Sequence, residues 1–245
     1  MKESKISSRT LLAAAGTFVF VLVSSPLSYK FGFLSLIPSI IGLMVGLVGS
    51  ILVSFSSMMM LFIAIKHDLY LDTKLLLLSL IISLLPLIFI SPQVVKGYTS
   101  PPIHDVSTDT IDPPIFNTLS SRQTDADNDF SQGTYAVSEE ERVEMQHKAY
   151  PDLKTLISFL DFESALSRSD MLLRRHGLEI IAVDEDKGII EATDTTFWFG
   201  FKDDVVVRLS QHGIGTKVDI RSASRIGIRD FGKNASRIER FLSDF

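Results

Sequence analysis

The sequence predicts an α+β soluble domain, an antiparallel four- to five-stranded meander flanked by helices, following three transmembrane α-helices. Three observations carry this reading. Apolar stretches of membrane length crowd residues 1–97. The later residues instead alternate apolar and polar side chains between turn signals. Charge divides at the same boundary: residues 1–97 hold seven Lys and Arg against three Asp and Glu, and residues 98–245 hold seventeen against twenty-six. The chain is therefore expected to comprise a membrane anchor (1–97), a proline-rich extended strap with an acidic loop (98–136) and an α+β domain (137–245).

The anchor is read as spans at about 11–29, 38–65 and 75–95. The first lies between Arg9 and Lys30. Its basic N-terminus resembles that of a signal peptide, but Ser25 is followed by Pro26 and no small-residue cleavage site closes the run, so it is expected to be retained. The second is longer than a perpendicular crossing needs, which tilt accommodates. Within it Gly42, Gly46, Ser50 and Ser54 recur at steps of four, a stripe that admits another helix closely. That helix is either one of the chain's own or, in a homo-oligomer joined through Gly42 and Gly46, another copy's. The intramolecular alternative is favoured. Pro86 is expected to kink the third span.

Lys2, Lys5, Arg9, Lys66 and Lys74 lie on one side of these spans, against Lys30 and Lys96 on the other. The positive-inside rule then puts the N-terminus in the cytoplasm of a bacterial inner membrane and the C-terminal domain in the periplasm, or otherwise outside the cytoplasm. No ionisable residue interrupts the three apolar cores, which argues against a proton relay.

Residues 98–136 are rich in Pro, Ser, Thr, Asp and Gly and are expected to be extended. Ser138 before Glu139, Glu140 and Glu141 signals a capped helix running to Tyr150. A second helix, about Phe162 to His176, should stop at Gly177. Strands are expected at 178–183, 188–194, 196–202, 205–210 and 216–222, with Phe197, Phe199 and Phe201 of the third facing the core and Trp198 on the opposite face. A final helix, about Phe231 to Leu242, would cover the sheet with Ile238, Phe241 and Leu242.

Composition narrows the chemistry. The acidic C-terminal part argues against nucleic acid as a partner, because phosphate neutralisation needs a basic surface. The absence of cysteine excludes disulfides and thiol nucleophiles. Phosphate-loop, dinucleotide and nucleophile-elbow motifs are all missing.

One cluster has the residue types of catalysis. In PPIHDVSTDTIDPPIF (101–116), His104, Asp105 and Asp109 bring a base and carboxylates together, with Ser107 and Asp112 close by. A relay needs the imidazole between hydroxyl and carboxylate in space. The alternative is a proline-stiffened strap whose polar side chains hold backbone groups. The spacing matches no dedicated metal motif, so neither a metal nor another cofactor is expected. Asp125, Asp127 and Asp129 begin like a calcium loop, but Phe130 and Ala136 stand where glycine and glutamate belong.

Arg208, Arg221, Arg225 and Arg229, with Lys217, form the basic concentration of the domain. Strand parity puts Lys217, Asp219 and Arg221 on one face and lets Arg225 continue it. Asp194, Trp198, Arg208, Arg221 and Arg225 are the candidate ligand-binding residues. Either they hold an anion, or the arginines pair across strands with Glu191 or Asp194, and pairing is favoured. Trp198 is either a partner contact or covered by the strap.

Four blocks carry a resemblance: PPIHDVSTDTIDPPIF, YPD at 150–152, EATDTTFWFGFKDDVVVR at 191–208 and VDIRSASRIGIRDFGKNASRI at 218–238. In this order they resemble the bacterial domain-of-unknown-function family numbered fourteen ninety-nine, over about Ile103 to the C-terminus. The resemblance implies an envelope-type domain, here with a three-helix anchor, and brings no activity with it. It stresses Asp203, Asp204, Ser222 and Asn234 beside the residues above.

The resulting expectation is a non-enzymatic protein of the lipid bilayer that binds an envelope partner or small ligand on the strap side of the sheet. The alternative is a hydrolase or metal-dependent enzyme using His104 with Asp105 or Asp109, and Arg221 or Arg225 as anion holders.

Overall fold

A computed structural model describes residues 6–119, 138–227 and 229–245. The proposed calcium-like loop lies outside them. The chain divides into two compact units, residues 1–95 with 197–200, and residues 96–196 with 201–245.

Three helices dominate the first unit: α1 (Ile6–Lys30), α2 (Leu36–Lys66) and α3 (Tyr70–Thr99). Each is long and apolar enough to cross a membrane. The small-residue stripe of α2 faces α1 of the same chain. A Cβ on Gly46 would lie 2.7 Å from the Cα of Leu22, so only glycine permits this approach. Farther along, serines replace glycines as the contact. Ser54 bonds Ser83 at 2.7 Å, Ser57 and Ser79 meet at 2.9 Å, and Ser79 donates to the Leu11 carbonyl at 3.1 Å. Helix-to-helix bonds thus satisfy the hydroxyls of Ser54, Ser57, Ser79 and Ser83.

In the second unit six strands form one antiparallel sheet: β1 (Asp105–Ser107), β2 (Leu156–Ser158), β3 (Glu179–Asp184), β4 (Ile189–Thr195), β5 (Lys202–His212) and β6 (Gly215–Ser224). The order is β1-β6-β5-β4-β3, and β2 pairs with the other end of β6. Two short segments therefore share the outer edge of β6, closing an edge that would otherwise be open. Helix α4 (Glu139–Ala149) starts with the capping box of Ser138 and Glu141. Helix α5 (Phe162–Arg175) is capped by Asp161 and followed by Gly177 at φ +87°. Helix α6 (Lys233–Asp244) completes the unit.

One predicted strand is a turn. Thr196–Phe201 connects β4 to β5, and Thr196 N–H bonds the Phe201 carbonyl at 2.8 Å. Phe197 is 71 % exposed, so the alternating phenylalanines are not the core side of a strand. Gly200, at φ +70°, supplies the left-handed residue that lets the chain reverse here. Trp198 moves with the turn. It belongs to the turn and not to a strand, and is 47 % exposed.

Alternation sorts the other strands into two faces. Ile190, Ala192, Val205, Val207, Leu209, Val218 and Ile220 pack with Leu172 and Leu173 of α5 and Ile238 and Phe241 of α6. On the opposite face Val206 and Ala223 pack with Phe116 and Leu119 of the strap. The strap thus does for one face what the helices do for the other.

Candidate functional site

The strap face of the sheet collects most of the charged residues singled out from the sequence. Arg221 and Asp105 form a two-pronged pair, Nε to Oδ1 at 2.9 Å and Nη2 to Oδ2 at 2.6 Å. The same guanidinium donates to the Pro114 carbonyl and stands 5.4 Å from the centre of the Phe116 ring. It ties together both ends of PPIHDVSTDTIDPPIF. Burial is the largest influence and works against its charge, but its hydrogen bonds to Asp105 and the negative charges of Asp105 and Glu139 together outweigh that, and its pKa is raised.

Beside this pair lies a second cluster. Lys217 bridges Asp109 at 3.0 Å and Asp219 at 3.1 Å. Arg208 bridges Asp219 at 3.2 Å and Asp112 at 2.9 Å, and also donates to the Asp112 carbonyl. Asp219 is buried and accepts from Thr108 and Thr155 as well. Its charge is thus met on every side, as a buried carboxylate requires.

Asp109 governs the local shape of the strap. Its Oδ1 accepts the backbone N–H groups of Ile111 and Asp112 at 3.1 and 2.9 Å, while Oδ2 accepts from Lys217. The Asp112 amide, and then Lys217, hold its carboxyl below the usual carboxylate range. A group with a lowered folded pKa contributes stability above its unfolded pKa and loses it as pH falls through the folded one. Acidification below the ordinary carboxylate range should therefore release the amides of Ile111 and Asp112 to hydrogen exchange. Asp109→Asn should show faster exchange already at neutral pH, and equal rates in both proteins would refute this role.

A third clamp was not foreseen as such. Glu191, 1 % exposed, accepts backbone N–H groups from Asn117 at 2.5 Å, Thr118 at 3.1 Å and Leu119 at 2.8 Å. It fastens the far end of the strap instead of pairing with an arginine. Gln146 of α4 does the corresponding job at β1. Its side-chain amide donates to the Ser107 carbonyl and accepts from the Ser107 N–H, as a neighbouring strand would. Arg142, pairing with Glu139, donates to the Asp105 carbonyl.

Arg225 forms a two-pronged pair with the buried Asp204, both contacts at 2.8 Å, and Asp204 also accepts from Thr193. Arg208, Arg221 and Arg225 are thus all paired with carboxylates. The partners differ from those expected: they are Asp112 and Asp219, Asp105, and Asp204. Asp194 lies on the other face, bonded to Arg237.

That helix-side network was missed by the sequence reading. Asp194 and Asp203 stand directly opposite each other on β4 and β5. Like charges so placed are unfavourable, and Arg237 resolves the conflict, with Nη2 2.5 Å from Asp194 and 2.8 Å from Asp203. Its other arm donates to Ser222 Oγ and Asn234 Oδ1. The Asn234 amide group in turn donates to the His104 carbonyl at 2.8 Å. Asp230 accepts the N–H groups of Gly232 and Asn234 at the start of α6. Burial raises its pKa despite those two bonds.

His104 is half-buried. Its carbonyl accepts from Ser224 N–H and Asn234, and no hydrogen bond of its ring occurs among the described residues. Asp105 and Asp109 are turned to Arg221 and Lys217 instead. The three candidate catalytic residues are therefore near in sequence without forming a relay. Among the described residues no group of His, Asp and Glu is arranged to hold a metal ion.

The family model described as "Protein of unknown function (DUF1499)" matches residues 105–245. No curated protein and no solved structure matches the chain.

Proposed function

We propose, from the premise that the chain belongs to the DUF1499 family of proteins of unknown function, that it is a membrane-anchored binding protein. Its C-terminal unit lies outside the cytoplasm and engages an envelope partner or small ligand on the strap side. One observation carries this reading: the strap's inward groups are consumed in holding it, while Ile111, Asp112 and Ile115 project outward. Ile111 is 97 % exposed and Ile115 66 %. Asp112 bonds Arg208 yet its side chain remains 75 % exposed. A rigid segment presenting two aliphatic side chains around a carboxylate suits recognition, because little ordering entropy is left to lose on binding. Such outward apolar groups suit a protein surface. The pairing of Asp105 and Asp109 with cations gives a catalytic role of His104 no support.

The full chain in its membrane, with a photo-crosslinking residue in place of Ile111, should give a discrete adduct. Asp112→Arg or Ile115→Asp should abolish it and His104→Ala should leave it intact. A pattern in which only His104→Ala matters would overturn the binding reading. Orientation has its own test. A reporter enzyme active only outside the cytoplasm, fused after Phe245, should be active, and a stable but inactive fusion would reverse the topology.

A further inference from the structure

The turn between β4 and β5 presents TFWFGF, whose aromatic tip is grouped with the apolar helices: residues 197–200 belong to the same compact unit as 1–95. Within that unit the tip meets the end of α1. Lys30 Nζ donates to the Phe197 carbonyl at 3.0 Å and lies 5.3 Å from the centre of the Phe197 ring and 6.0 Å from that of Phe31. The Tyr29 and Phe199 rings are 6.1 Å apart. Gly200 makes the approach feasible, since a Cβ there would come within 2.9 Å of Lys30 Cγ.

The composition of this cluster matches a bilayer interface. Tyr29, Lys30, Phe31 and Phe33 lie where an apolar helix of membrane length ends, and Phe31 and Phe33 are 66 % and 79 % exposed. Aromatic side chains gather at headgroup level, and a lysine stem can follow them while its ammonium stays wet. Phe197 and Trp198 add a second, sequence-distant set to the same level, and Trp198 stands edge-on to Phe197 at 5.3 Å while remaining 47 % exposed. In water such a set would leave a contiguous apolar surface uncovered.

We infer that the 197–199 tip inserts into the headgroup region of the bilayer that holds α1, giving the C-terminal unit a second, non-covalent membrane attachment. The occupant of this patch is lipid. Trp198 is the only tryptophan of the chain, so its fluorescence reports the tip alone. The test is full-length protein reconstituted into phosphatidylcholine–phosphatidylglycerol vesicles with lipids brominated at shallow or deep acyl positions, and a Trp198→Phe sample as blank. Shallow bromines should quench the emission more than deep ones, and aqueous acrylamide should quench it weakly. Phe197→Ser should shift the emission to longer wavelength and reduce quenching by lipid. Strong acrylamide quenching without lipid quenching would place the tip in water and overturn the inference. Protection from both quenchers would mean burial against protein and would overturn it equally.

Discussion

Glu191→Ala is expected to detach the strap and to cost the C-terminal unit about 3–5 kcal/mol, as three hydrogen bonds to one charged acceptor are worth roughly 1.5–3 kcal/mol each before relaxation. The carboxylate is buried beneath residues 117–119 and satisfies their three N–H groups at once. Alanine leaves those donors without their acceptor and uncovers Val206 and Ala223, on which Phe116 and Leu119 pack. Urea denaturation followed by circular dichroism should show a lower midpoint, and the amides of 117–119 should exchange faster than those of β5. Glu191→Gln keeps one acceptor oxygen and should fall between the two. A loss within about 0.5 kcal/mol, the range of an ordinary surface substitution, would mean that the strap is held by other contacts.

Arg237→Ala should be comparably damaging, by about 3–5 kcal/mol, because removing one partner of a buried ion pair leaves the other charge uncompensated. Here the partner left behind is Asp203, 3 % exposed and facing Asp194 across the hairpin. One further result separates this mechanism from lost packing. The double variant Arg237→Ala/Asp203→Asn should recover much of the loss, since contacting residues are not additive. A double variant no better than the single one would assign the whole effect to packing of the arginine stem.

The arginines illustrate what could be read in advance. Strand parity alone puts Lys217, Asp219, Arg221 and Arg225 on one face, because the two-residue period of a strand is a local property. The identity of their partners was not local. Asp105 reaches Arg221 and Asp112 reaches Arg208 because residues 105–107 pair antiparallel with 221–223. That pairing joins segments more than a hundred residues apart. Arg237 had one signal that could have exposed it. Asp194 and Asp203 are register partners around a short turn, and such a pair of like charges calls for a cation from elsewhere.

The TFWFGF segment shows the opposite case, a local pattern that misled. Alternating phenylalanines have high strand propensity, but this propensity reflects fit to a pleated, half-buried surface rather than a backbone preference. The β4–β5 hairpin must reverse somewhere, and Gly200 supplies the left-handed residue for it within this stretch. The sequence by itself determined the three apolar helices, the cap of α4, the end of α5 at Gly177 and the hairpin strands, since hydrophobic period and capping chemistry act over a few residues. Tertiary structure alone decided that β1 and β2 share one edge of β6, that Glu191 and Gln146 clamp backbone, and that His104 stands apart from Asp105 and Asp109. Each of these depends on which distant groups must satisfy one another once they leave water.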